Sequence, residues 1–271
     1  MKKLLAFVIA VCMLLCVCPV AFAEQPLKYV VIGDSIAAGS GVLNSENACY
    51  GKIVADTNGY DYMNYGVPGD RSQDLLEIIK RTDVLTSLAD ADIISISIGG
   101  NDFLQQDLPK LIALAAVGDY HHLENIERDL TENLGEIVGL IRENNPDALI
   151  MLQSLYNTHI GVLGAVYDLA IPRVNAAVNA VYDEYADGNI LIVDLASDFE
   201  NHPEYVALDT IHPTAVGNIR IAEIILDTLA QRGLGVTSAE IAVNVTGIDE
   251  IPYSSYIIKA ILDFFRNIFV H

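Results

Sequence analysis

Cysteine is scarce in this chain. Of the four cysteines in 271 residues, Cys12, Cys16 and Cys18 fall in one N-terminal segment and only Cys49 lies beyond it. That segment, residues 1–23, reads as an export signal. Lys2 and Lys3 start it, Leu4 to Val17 is apolar, and Ala21-Phe22-Ala23 supplies a cleavage pattern before Glu24. The run is shorter than the ~20 apolar residues a membrane span requires. None of its cysteines follows the small residue that precedes a lipid-modified cysteine, which argues against a lipoprotein. With Cys49 alone remaining, the exported chain can form no internal disulfide, so its fold must rest on a buried core.

Positive charge is equally scarce. Lys and Arg number 15 against 36 Asp and Glu, a formal charge of −21 that becomes −23 once Lys2 and Lys3 leave with the signal. Such a balance repels phosphate backbones and excludes nucleic acid as a partner. It fits a solvated surface outside the cell and identifies no substrate. A nucleotide-cradling loop is missing too: Gly39-Ser40-Gly41 begins a G-x-G-x-x-G, but Asn44 takes the last place. His121-His122 has no third ligand at metal-binding spacing, and no internal repeat or low-complexity tract stands out.

Removing 23 residues leaves 248, the size of one large α/β domain, able to bury about three quarters of its unfolded surface. Apolar, β-rich runs alternate with longer helical patterns. Strands are predicted at Tyr29–Ile32, Tyr62–Val67, Asp92–Ile98, Ala148–Leu155 and Ile190–Leu195. Several are continuously apolar, as parallel strands covered on both faces are. Helices are predicted at Ser72–Leu88, Leu123–Glu143, Asp168–Tyr185 and Thr214–Gln231. The alternation predicts a doubly wound open sheet of about five parallel strands, with an apolar insertion at Phe103–His122 over the pocket.

In such sheets, ligands sit outside the carboxyl ends of the strands. Ser35 follows the first strand, Gly66 to Gly69 the second, Asn101 the third, and Asp209 and His212 the fifth. All fall on one edge. His159, after the fourth strand, falls there as well, and either substrate contact or a surface loop suits it. A serine hydroxyl becomes a useful nucleophile when a base takes its proton. His212 is that candidate base, and Asp209, three residues earlier, can hold its tautomer. Pro213 is then expected at the first position of the following helix. Asn101 can offer its side-chain amide to an oxyanion, with backbone N–H groups from Gly69 and Ser35. Taken alone, Asp209 could instead cap the helix, and each glycine pair could be a turn.

These blocks carry a resemblance. Val31-Ile32-Gly33-Asp34-Ser35, Asn64-Tyr65-Gly66-Val67-Pro68-Gly69-Asp70, Gly99-Gly100-Asn101-Asp102 and Asp209-Thr210-Ile211-His212-Pro213 occur in the order of the four blocks of the SGNH (GDSL-type) hydrolases. The matches span about residues 29–232. The first block departs from the pattern only in Ile36, where the name-giving motif has leucine. The resemblance implies a flavodoxin-like three-layer sheet of order 2-1-3-4-5, no cofactor and no metal. It implies ester hydrolysis through an acyl-enzyme, with Ser35, Asp209 and His212 catalytic and Ser35, Gly69 and Asn101 forming the oxyanion hole. The α/β-hydrolase fold is disfavoured, because Ala37 rather than glycine stands two residues after Ser35.

The sequence therefore predicts a secreted or cell-envelope serine esterase with a signal at 1–23, a hydrolase domain at 24–234 and an extension at 235–271. Lipid or lysophospholipid acyl esters and acetylated carbohydrate both stay open as substrates, and the oligomeric state is not legible. A non-catalytic carbohydrate- or lipid-binding module on the same fold is the alternative, against which the intact serine, asparagine, aspartate and histidine argue. Within the extension, Tyr253–Phe269 patterns as an amphipathic helix, with Ile257, Ile261, Phe264, Phe265 and Ile268 on one face. That face suits packing on the domain, or docking on a membrane or partner.

Overall fold

The five apolar runs form five strands: β1 Lys28–Gly33, β2 Asp61–Asn64, β3 Ile93–Ser97, β4 Leu149–Gln153 and β5 Ile190–Val193. In the computed structural model they make one parallel sheet of order β2-β1-β3-β4-β5, the order the resemblance implies. The structure describes residues 25–42, 44–157 and 164–241. The leader, His159 and the Tyr253–Phe269 segment lie outside the described residues.

Alternation along each strand divides the core between two faces. Tyr29 and Val31 of β1, Ile93 of β3 and Met151 of β4 join one buried cluster. It is covered by α2 (Tyr50–Asn58) and α10 (Ala215–Gln231). Val30, Ile32, Ile94, Ile96, Ile150 and Leu152 join the other. There α3 (Ser72–Ile79), α4 (Thr82–Ala89) and α7 (His121–Asn144) cover the sheet, with part of α8 (Gly164–Glu184). The short helices are α1 (Ser45–Ala48), α5 (Gly100–Leu104), α6 (Leu108–Ala116) and α9 (Leu195–Asp198). Each fully buried Ile or Leu of the strands contributes roughly 1.5–3 kcal/mol of burial, so a core without cross-links suffices. Among the described residues, no helix is long and apolar enough to cross a membrane.

Three expectations need correction. The stretch predicted as one helix, Ser72–Leu88, is two helices separated at Lys80-Arg81, where Arg81 is extended. Ile79 and Val84 would lie about 140° apart on a continuous helix; the break brings both onto the sheet, where both are fully buried. The second strand stops at Asn64 rather than Val67, because the Asn64 side chain accepts the Gly66 N–H at 2.8 Å and turns the chain. Pro213 does not open the last helix. Thr214 is its N-cap, accepting the Gly217 N–H at 3.0 Å, and Pro213 instead pairs with Val206 in an isolated antiparallel bridge.

Candidate active site

The loops leaving the carboxyl edge bring Ser35, Asp209 and His212 into one line. His212 Nε2 lies 2.8 Å from Ser35 Oγ, and His212 Nδ1 lies 2.7 Å from Asp209 Oδ2. With Nδ1–H donated to the carboxylate, Nε2 is left to accept the serine proton. The other Asp209 oxygen accepts the N–H groups of Ile211 and His212 at 2.9 and 3.0 Å. Burial pushes the Asp209 carboxyl up, but its hydrogen bond and charge interaction with His212, aided by those two N–H groups, hold it below its ordinary value. The site therefore keeps a carboxylate beside the imidazole.

The loop carrying this pair is closed on itself and fastened to the sheet. Ala207 N–H donates to the His212 carbonyl at 2.8 Å beside the Val206–Pro213 bridge. Tyr156, whose ring stacks on Phe199 at 4.4 Å, donates its hydroxyl to the Ile211 carbonyl at 2.6 Å. Thr210, between acid and base, has φ of 63°, a conformation that costs a β-branched residue on the order of 1–3 kcal/mol. Gly41 lies under the loop: with φ of 107°, a Cβ there would stand 2.3 Å from the Pro213 carbonyl oxygen and 3.0 Å from His212 Cβ. The Gly39-Ser40-Gly41 stretch thus serves as the bed on which the histidine loop packs.

Asn101 stands in the first turn of α5, beside Ser35. Its amide donates to the Asp70 carbonyl at 3.0 Å, which fixes the side chain and leaves the second N–H free. Gly69, with φ of 94°, has its carbonyl held by the Gln105 side chain. Among the described residues, the N–H groups of Ser35 and Gly69 donate to no protein acceptor. The two loops are joined beneath: Ser72 N and Oγ donate to Asp102 at 3.0 and 2.5 Å, and Asn133 donates to Ser72 Oγ at 2.9 Å. Asn64 joins the second loop to the first by donating to the Ala37 carbonyl at 2.8 Å. The linking roles of Asn64, Gln105, Ser72 and Asn133 are not marked in the sequence, although Asn64 opens the second block. Only Asn64, two residues before a glycine, carries a local turn signal.

Asp34, next to Ser35, is 3 % exposed. Burial raises its carboxyl from the ordinary 3.8 to about 7, against the Ile36 N–H it accepts and the nearby His212; Asp102 adds to the rise. The native state therefore holds this proton up to about pH 7, whereas the unfolded chain releases it near 3.8. Stability then declines as pH rises between those values, by on the order of 4 kcal/mol. Asp34→Asn removes that dependence. Its melting temperature relative to the wild type is expected to rise by roughly 5 °C or more between pH 5 and pH 8. A difference that does not change with pH would show that Asp34 titrates normally.

Two spaces flank Ser35. One is a slot lined by Leu104, Leu155, Tyr156, Tyr167 and Ile171; the other is a wider groove bordered by Ser40, Ser45, Pro68, Gly69 and His212. His121 is exposed and pairs with Glu124 at 3.2 Å. Among the described residues, no group of three or more His, Cys, Asp or Glu is placed to hold a metal.

Residues 31–219 match the GDSL-like lipase/acylhydrolase family, and the chain belongs to it, a family of ester hydrolases. It is 26% identical over 221 residues to YpmR, an uncharacterised protein of Bacillus subtilis (strain 168), covering 78% of this chain and 84% of that one. The lipase Lip_vut3 from a goat rumen metagenome superposes with a TM-score of 0.60 at 21% identity, covering 78% of this chain and 98% of the lipase. Axe2, an acetylxylan esterase from Geobacillus stearothermophilus, gives 0.57 at 20% identity, with 79% and 97% covered. At these identities the two structures speak for the shared fold.

Proposed function

We propose that this chain is a secreted serine esterase that cleaves carboxylic esters through an acyl-enzyme. The reading rests on the Asp209–His212–Ser35 line, with contacts of 2.7 and 2.8 Å. Ser35 Oγ attacks the ester carbonyl carbon while His212 Nε2 takes the hydroxyl proton. The resulting oxyanion accepts hydrogen bonds from Ser35 N, Gly69 N and Asn101 Nδ2. As the bond to the alcohol oxygen breaks, Nε2 returns the proton to that oxygen. Water then attacks acyl-Ser35 by the same route, giving the carboxylic acid and free Ser35. Secretion is supported by the pattern of residues 1–23.

The oxyanion assignment is testable apart from the nucleophile. Asn101→Ala is expected to lower kcat by about 10^2 to 10^3, roughly 3–4 kcal/mol of transition-state stabilisation, with KM nearly unchanged. Steady-state kinetics with 4-nitrophenyl acetate measures both. A raised KM with kcat preserved would make Asn101 a substrate-binding residue instead.

A further inference from the structure

The two spaces beside Ser35 are unequal, and the position of His212 says which part of the ester each receives. The proton on Nε2 must reach the leaving oxygen, so the alcohol lies on the side that His212 borders. His212 borders the wide groove, which also runs past Gly39, Ser40 and Ser45, and does not line the slot. The acyl group, turned away from the leaving oxygen, enters the slot between Leu104, Leu155, Tyr156 and Ile171.

Their sizes differ tenfold. The slot offers about 50 Å³ and the groove about 510 Å³. A water-sized group needs roughly 10–15 Å³ on this measure, so the slot admits three to five such groups. A butyryl chain fits beyond its carbonyl; the far end of an octanoyl chain must leave the space these residues enclose. The groove mixes serine hydroxyls, glycine backbone and the Asp209 carboxylate with Val42, Pro68, Ile211 and Leu104, which also borders the slot. Among the described residues lining either space there is no Lys or Arg, so these residues offer a phosphate headgroup no cation.

We infer that the substrate is a short-chain acyl ester, acetyl to butyryl, of a bulky hydroxyl-rich alcohol: the chemistry of an O-acylated carbohydrate. The inference rests on the serine-esterase reading and selects within it.

The test is a chain-length series of 4-nitrophenyl acetate, butyrate and octanoate, with glucose pentaacetate and a palmitoyl lysophosphatidylcholine as alcohol probes. Labelling of Ser35 by a fluorophosphonate is scored in parallel. The expected result is a fall in kcat/KM of about a hundredfold or more from butyrate to octanoate, with acetate released from the sugar faster than palmitate from the lysolipid. Octanoate turned over as well as butyrate, or faster release from the lysolipid, overturns the inference while leaving Ser35 labelling and esterase activity in place. Absence of labelling and of all turnover would instead defeat the esterase reading itself. Ile171→Ala, with Leu155→Ala as a second variant, should raise the octanoate-to-butyrate ratio about tenfold; both residues line the slot and not the groove. An unchanged ratio in folded variants places the acyl chain outside the slot.

Discussion

Ser35→Ala is expected to fold as the wild type does and to lose about 10^4-fold or more in kcat. Oγ carries no part of the core. Its side-chain contact is the 2.8 Å bond to His212 Nε2, and the turn holding it is built by backbone, with Ser40 N–H donating to the Ser35 carbonyl at 2.8 Å. Removing the hydroxyl therefore leaves the fold's hydrogen bonds intact. Without it, His212 and Asp209 have no nucleophile to activate, and what survives is stabilisation of the oxyanion around adventitious water attack. The measurement is steady-state hydrolysis of 4-nitrophenyl acetate beside a thermal melt. Undiminished turnover in a folded variant would remove Ser35 from the mechanism. Loss of the melt would show that the serine is structural.

Much of this architecture was legible in the sequence because parallel strands announce themselves. Ile93 to Ile98 and Ile190 to Val193 are near-continuous apolar runs, since both faces of those strands are covered. Once five such runs alternate with helices, the carboxyl-edge rule brings Ser35, Asn101, Asp209 and His212 to one edge from the sequence pattern alone. What stayed hidden was set by contacts between distant residues. Nothing local to Lys80-Arg81 announces a helix break; the re-phasing of Val84 against Ile79 matters only because both must meet one sheet. Thr210 has no intrinsic taste for positive φ, and adopts it because the Asp209 carboxylate binds the next two N–H groups. Gly39-Ser40-Gly41, set aside as an incomplete phosphate-loop pattern, showed no role in sequence, because the neighbour of Gly41, the Pro213 carbonyl, is far away along the chain. The size of the slot, likewise, depends on Leu104, Tyr156 and Ile171 converging from three different elements.

Asp209→Asn is expected to cost about 10^4 in kcat at pH 7 with the geometry of the loop preserved. Asparagine is nearly isosteric, and its carbonyl oxygen can still accept the Ile211 and His212 N–H groups that shape the turn. The change falls on the ring. In the wild type the carboxylate accepts from Nδ1–H at 2.7 Å, so Nε2 is free to accept from Ser35. The asparagine NH2 donates to Nδ1 instead, which drives the ring proton to Nε2, where it opposes the serine proton rather than taking it. The imidazolium formed during attack also loses the adjacent negative charge that stabilises it. KM, set by the slot and groove, should change little, and fluorophosphonate labelling of Ser35 should slow in step with kcat, since both need the same proton acceptor. If the variant retained wild-type labelling and turnover, another group would be orienting His212. A large rise in KM instead would move Asp209 from the proton relay to substrate binding.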